Sequence, residues 1–169
     1  ATMERGYDNV TQNILLANYQ ANFILDGDDG SNNYYAYKNL FVYGSHGTKS
    51  THGGHDIRHF NNYYGYQTTD CLMDNYAGDQ TLGTYAGYND WYFNNSCISG
   101  AKIEQGKSVL NWGSFACNTK QDQWPILGNN TIYVRNASFV DKVGLCSMSE
   151  KDFQSKYKDD LISTLATGG

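Results

Sequence analysis

Short β-prone stretches, ILLANY, LFVYG, YYGY, SCIS and TIYV, punctuate this chain, and each opens at an asparagine: Asn13, Asn39, Asn62, Asn95 and Asn130. The segments that run into those residues, GYDNVTQN, SNNYYAYKN, GGHDIRHFNN, GYNDWYFNN and ILGNN, mix polar and aromatic positions and also end on Asn. A pattern returning at intervals of 26, 23, 33 and 35 residues is the mark of one supersecondary unit stacked on itself. One coil of such a stack needs about 20 residues or more, so the first two intervals are compact and the last two carry loops. The pattern predicts an all-β solenoid of parallel β-helix coils over residues 1–135, with residues 136–169 forming a terminal coil and a cap.

The recurring Asn has a physical reason to recur. Side-chain amides stacked about 4.8 Å apart hydrogen-bond along the stack and satisfy corner backbone groups that would otherwise be orphaned. A second polar column is expected from Asn33, Asp56 and Asn89, joined by Asp8, just ahead of the Asn column. After Val134 the rhythm stops. There SMSEKDFQSKYKDDL offers a capping box from Ser147 to Glu150 and places Phe153, Tyr157 and Leu161 on one helical stripe. A short C-terminal helix covering the unpaired strand edges of the last coil is the expectation.

Composition sharpens the picture. The 169 residues include 15 Tyr and 18 Gly but a single Pro, which suits short strands joined at Gly, Asn and Asp corners and argues against a helical bundle. A net charge of −5, with no basic cluster interleaved with aromatics, excludes nucleic acid as the natural partner. No apolar run is long enough to span a bilayer as a helix. N-x-[ST] sequons begin at Asn9, Asn94, Asn129 and Asn136, and Cys71, Cys97, Cys117 and Cys146 lack metal-type C-x-x-C spacing. An even cysteine count with sequons predicts a secreted, extracellular glycoprotein with up to two disulfides, their connectivity open. The opening at Ala1, within what reads as a coil, suggests a segment released from a precursor.

The densest polar cluster is Asp26-Gly27-Asp28-Asp29-Gly30-Ser31, followed one coil later by Lys49-Ser50-Thr51-His52-Gly53-Gly54-His55-Asp56. Two carboxyl groups about 5 to 9 Å apart can divide the work of glycoside hydrolysis between them. Counted back from the Asn column, His52 and Asp29 hold equivalent positions. The competing readings are an Asp-Gly turn at Asp28 and Asp29, a Ca²⁺ site at Asp26 and Asp28, and a structural place for Asp56 in the second polar column. His46, His52, His55 and His59 crowd together without a zinc-type ligand set, so no metal or other cofactor is expected from them. Recurrent aromatics, among them Tyr35, Tyr64 and Trp91, can stack against sugar C–H faces and, with Arg58, are the expected substrate-binding residues; the bland alternative is an aromatic stack inside the solenoid.

Asp28-Asp29-Gly30-Ser31, Gly53-Gly54-His55-Asp56, Asn61-Asn62 and the closing NNTIYV resemble secreted proteins of the right-handed parallel β-helix, pectin-lyase-like class. Within that class, an Asp-Asp pair followed a coil later by Gly-His is similar to the polygalacturonase pattern. The resemblance implies a right-handed solenoid, polysaccharide as partner, and hydrolase or lyase chemistry with Asp28 and Asp29 as carboxylates and His55 as their support. Taken with the phase of the repeat, the expected catalytic set is Asp28, Asp29, His52 and His55. The alternative function is a structural subunit whose coils associate end to end in an extracellular filament or surface coat.

Overall fold

The computed structural model describes residues 6–18, 23–27, 31–51, 56–68, 71–76, 90–99, 110–112, 126–134, 144–145, 148–149 and 162–167. Every regular element among them is a strand. In chain order these are β1 (Asp8–Thr11), β2 (Ile14–Leu16), β3 (Phe23–Gly27), β4 (Tyr34–Tyr37), β5 (Leu40–Val42) and β6 (His46–Thr51). There follow β7 (Arg58–Phe60), β8 (Tyr63–Gln67), β9 (Leu72–Tyr76), β10 (Trp91–Phe93), β11 (Ser96–Ser99) and β12 (Leu110–Trp112). The last are β13 (Ile126–Gly128), β14 (Asn130–Val134), β15 (Gly144–Leu145), β16 (Met148–Ser149) and β17 (Ile162–Thr167).

Three parallel sheets receive these strands in turn. The first has the order β1-β4-β7-β10-β13, the second β17-β14-β11-β8-β5-β2, and the third β12-β9-β6-β3. Among the described residues each of these sheets is open, with two edge strands. Only β15 and β16, among the described residues, pair antiparallel, as a two-stranded piece. Met148–Ser149 therefore forms a strand inside the stretch where a helix cap was expected, its backbone groups taken by Gly144–Leu145; Phe153, Tyr157 and Leu161 lie outside the described residues.

The corner between first and second sheets explains why Asn recurs. Asn39, Asn62, Asn95 and Asn130 are each 2% exposed, and each side-chain oxygen accepts two bonds from the preceding Asn. For Asn62 these are the Asn39 backbone N–H and Nδ2, both at 3.0 Å. Its own Nδ2 donates to Asn95 Oδ1 at 3.1 Å and to the Ala36 carbonyl at 2.8 Å. The same scheme runs from Asn13 to Asn130, which gives each buried corner amide a partner. Immediately before each ladder Asn the backbone is left-handed, with φ of 58° at Gln12, 55° at Lys38, 57° at Asn61, and 52° at both Asn94 and Asn129. Asn tolerates that region better than most residues, so an Asn-Asn pair serves both halves of the corner. Gln67 plays a comparable part after the second sheet, accepting from the Gly44 N–H at 2.9 Å and donating to the Phe41 carbonyl at 2.8 Å.

The second polar column is described in part. Asn33 and Asp56 occupy a left-handed corner with φ of 56° and 55°, while Asp8 pairs in register with Tyr34, one residue further on. Asp90 is buried, and its Oδ1 accepts the Ile57 N–H at 2.7 Å; Asn89 lies outside the described residues.

Side chains alternate across each strand, and the inward set forms the core. In the second sheet Phe41, Tyr64 and Cys97 lie in register and buried, with the Phe41 and Tyr64 rings 5.1 Å apart. In the first sheet the inward positions are Val10, Ala36, His59 and Tyr92. Gly47 is required because a Cβ there would overlap the Cys71 carbonyl oxygen and approach the Tyr64 ring at 2.7 Å. Cys71 and Cys97 are joined by a disulfide between these packed strands.

Candidate functional site

The outward face of the first sheet is set by the same phase that places the ladder. Four and two residues before each ladder Asn point away from the core, giving the registers Asn9–Tyr35–Arg58–Trp91–Ile126 and Thr11–Tyr37–Phe60–Phe93–Gly128. Parallel pairing brings these side chains together from positions far apart in sequence.

Arg58 is the centre of this face. Its guanidinium carbon lies 5.4 Å from the Tyr35 ring, 5.4 Å from Tyr7 and 5.0 Å from Trp91. Tyr7 and Tyr35 stack at 4.3 Å and 7°, so they form a flat wall on one side of the cation. Among the described residues the guanidinium makes one hydrogen bond, a long one of 3.5 Å from Nη1 to the Tyr35 hydroxyl, and no carboxylate pairs with it. Rings over a guanidinium fix its plane and leave its in-plane N–H donors pointing sideways, ready for an oxygen-bearing ligand. Beside it, Tyr37 and Phe60 stack at 4.8 Å, and Trp91 and Phe93 meet at 5.8 Å. A groove of about 420 Å³ runs between the two registers, lined by Tyr35, Arg58, Phe60, Trp91, Phe93 and Asn94.

Of the four expected binding residues, the structure brings Tyr35, Arg58 and Trp91 together and removes Tyr64, which is fully buried. Burial, then the neighbouring Tyr34, pushes the Tyr64 phenol well above its ordinary pKa. The residues two after Asn39, Asn62 and Asn95 are all buried, so the Asn phase itself assigns Tyr64 to the core. The same phase would have added Phe60 and Phe93 to the face. Tyr7, ahead of the first strand, carried no such signal.

The expected catalytic residues Asp28, Asp29, His52 and His55 lie outside the described residues. Of their neighbours, Asp26 forms an ion pair with the buried Lys49 at 2.9 Å, and Lys49 also sits over the Phe23 ring at 4.7 Å. A carboxylate already matched to an ammonium is a weaker Ca²⁺ ligand, and among the described residues no group of three His, Cys, Asp or Glu is placed to hold a metal. His46 meets the Phe23 ring at 4.8 Å, tilted by 32°. His59 is fully buried against Tyr92 at 4.8 Å and 3°, with neither ring nitrogen hydrogen-bonded. Burial lowers its pKa to about 3, so the imidazole is neutral.

Asn9, Asn94 and Asn129 are exposed, the last two at left-handed corners, while Asn136 lies outside the described residues. Cys71 pairs with Cys97, and Cys117 and Cys146 lie outside the described residues. The described chain is thus an all-β protein of parallel sheets bearing an aromatic face with an arginine at its centre. No known protein family, curated protein or solved structure matches it.

Proposed function

We propose that the three parallel sheets are the walls of a right-handed parallel β-helix and that its first-sheet face binds polysaccharide outside the cell. The return of the chain to the same sheet at every third strand supports the coil. A buried disulfide suits an oxidising compartment, and the exposed Asn9, Asn94 and Asn129 suit glycan attachment there. The proposal includes a short C-terminal helical cap; a far-ultraviolet circular dichroism spectrum lacking any helical component would remove it.

The observation that carries the binding reading is the convergence of Tyr35, Arg58 and Trp91 on one groove, with the cation matched by rings and by no acid of the described residues. Aromatic walls accept sugar C–H surfaces, and the guanidinium donors fix orientation through ring or substituent oxygens. Isothermal titration against a panel of soluble oligosaccharides tests this directly. Arg58→Ala and Trp91→Ala should each weaken binding by about tenfold or more while the protein stays folded, a loss of about 1.4 kcal/mol. Binding that survives both substitutions would displace the site from this face. Turnover through Asp28, Asp29, His52 and His55 is the extension of this proposal, and Asp28→Asn with Asp29→Asn should then abolish product release without abolishing binding.

One feature favours the structural-subunit alternative. On the edge strand β2, Ile14 and Leu16 are 67% and 59% exposed, and Asn13 Oδ1 accepts no bond from any described residue. An added parallel strand from another copy would cover both. Sedimentation at rising concentration, with Ile14→Lys and Leu16→Lys as blocking changes, distinguishes this from a monomeric binder.

A further inference from the structure

Beyond the second sheet, the outward corner carries a tyrosine pair that the binding reading does not use. Tyr43 and Tyr66 follow β5 and lie within β8, and the Tyr43 N–H donates to the Gly65 carbonyl at 2.9 Å, which locks the two corners side by side. Their rings stack at 5.5 Å and 16°, yet they remain 47% and 48% exposed. Both backbones are left-handed, with φ of 58° and 56°, a conformation that a bulky side chain adopts only at an energetic cost. Tyr63 and the 39% exposed Tyr133 lie close by, and the Tyr63 phenol is raised by desolvation and then by Tyr66, Tyr133 and Tyr43.

We propose that Tyr43 and Tyr66 are an oxidative coupling site, joined as dityrosine by hydrogen peroxide and a haem peroxidase. Each phenol gives up one hydrogen atom to the peroxidase, so two phenoxyl radicals form and one peroxide is reduced to two waters. The radicals join through one ortho carbon of each ring, and the two ring hydrogens shift to oxygen to restore both phenols. Near-parallel exposed rings on fixed neighbouring corners need only side-chain rotation to reach bonding distance. The closer Tyr7–Tyr35 pair is the poorer site because Arg58 lies 5.4 Å from each ring and its positive charge opposes oxidation. Tyr64 is buried away from any peroxidase.

The test treats the folded protein with horseradish peroxidase and hydrogen peroxide, isolates the monomer and maps cross-linked peptides by mass spectrometry. The expected product links the peptides containing Tyr43 and Tyr66, with dityrosine fluorescence. It should be lost in Tyr43→Phe and in Tyr66→Phe, both of which keep the stack, and lost again when wild-type protein is treated in urea. Coupling of monomer through Tyr7–Tyr35, Tyr63 or Tyr133 instead, or a Tyr43–Tyr66 link that persists in urea, would overturn the proposal. This outcome is independent of saccharide binding, which involves the other sheet.

Discussion

His59 shows how one position can be legible as a residue type and illegible as an environment. Its sequence neighbourhood, with three other histidines nearby, suggests solvated or ladder imidazoles, but pairing puts it between Ala36 and Tyr92 on the inward side of the first sheet. Burial lowers its pKa from 6.5 to about 3, so between those values the unfolded chain binds a proton that the folded chain refuses. The contribution is intact above pH 6.5 and is lost as the pH falls towards 3. His59→Phe keeps the stack on Tyr92 and removes the titration, so urea unfolding across this range should show a flatter pH dependence than wild type. An unchanged slope would assign the acid sensitivity to other groups.

Among elements, the corner is the unit that the sequence writes most clearly. The motif Asn-Asn-[Ser/Thr] at Asn94 and Asn129 reads as a sequon, yet each part has a place in the fold: a left-handed Asn, a ladder Asn and a hydroxyl residue in the strand. Fold chemistry and glycan acceptor are therefore written in the same three letters. Asn62→Ala would strand the Asn39 N–H and the Ala36 carbonyl in a buried corner, besides breaking the bond to Asn95. A loss of about 3 kcal/mol or more is expected in denaturant unfolding. Asn62→Asp keeps an acceptor for Asn39 but has no donor for Ala36 or Asn95, so it too should fall below wild type at neutral pH. A neutral result for both would mean that the ladder contributes little to stability.

For the whole molecule, the disulfide ties β11 to the start of the third sheet's β9 across a separation of 26 residues. Closing a loop of that size restricts the unfolded chain, so Cys71→Ser with Cys97→Ser should lower the unfolding free energy by about 3 kcal/mol. Both sulfurs are buried, so reductant should act slowly on the folded protein and quickly in urea. Equal rates in the two states would show that the crosslink is accessible. Among the described residues few of the buried side chains are aliphatic, which gives such a tie more weight than in a broad hydrophobic core.

The sequence by itself determined the period, the all-β class, the parallel stacking at the Asn corner and three members of the aromatic face. These are local and repeated, and a residue that must satisfy the same backbone groups in every repeat leaves a visible mark. Tertiary structure decided which side of each strand met the core. It buried Tyr64 and His59, set Asp90 against the Ile57 N–H, and put Met148–Ser149 into a strand. It also paired Cys71 with Cys97 and placed Tyr7 over Arg58. Each of these depends on the neighbour supplied by another repeat. Side-chain alternation has a period of two, so a shift of one position exchanges core and surface, and only register between strands fixes the choice.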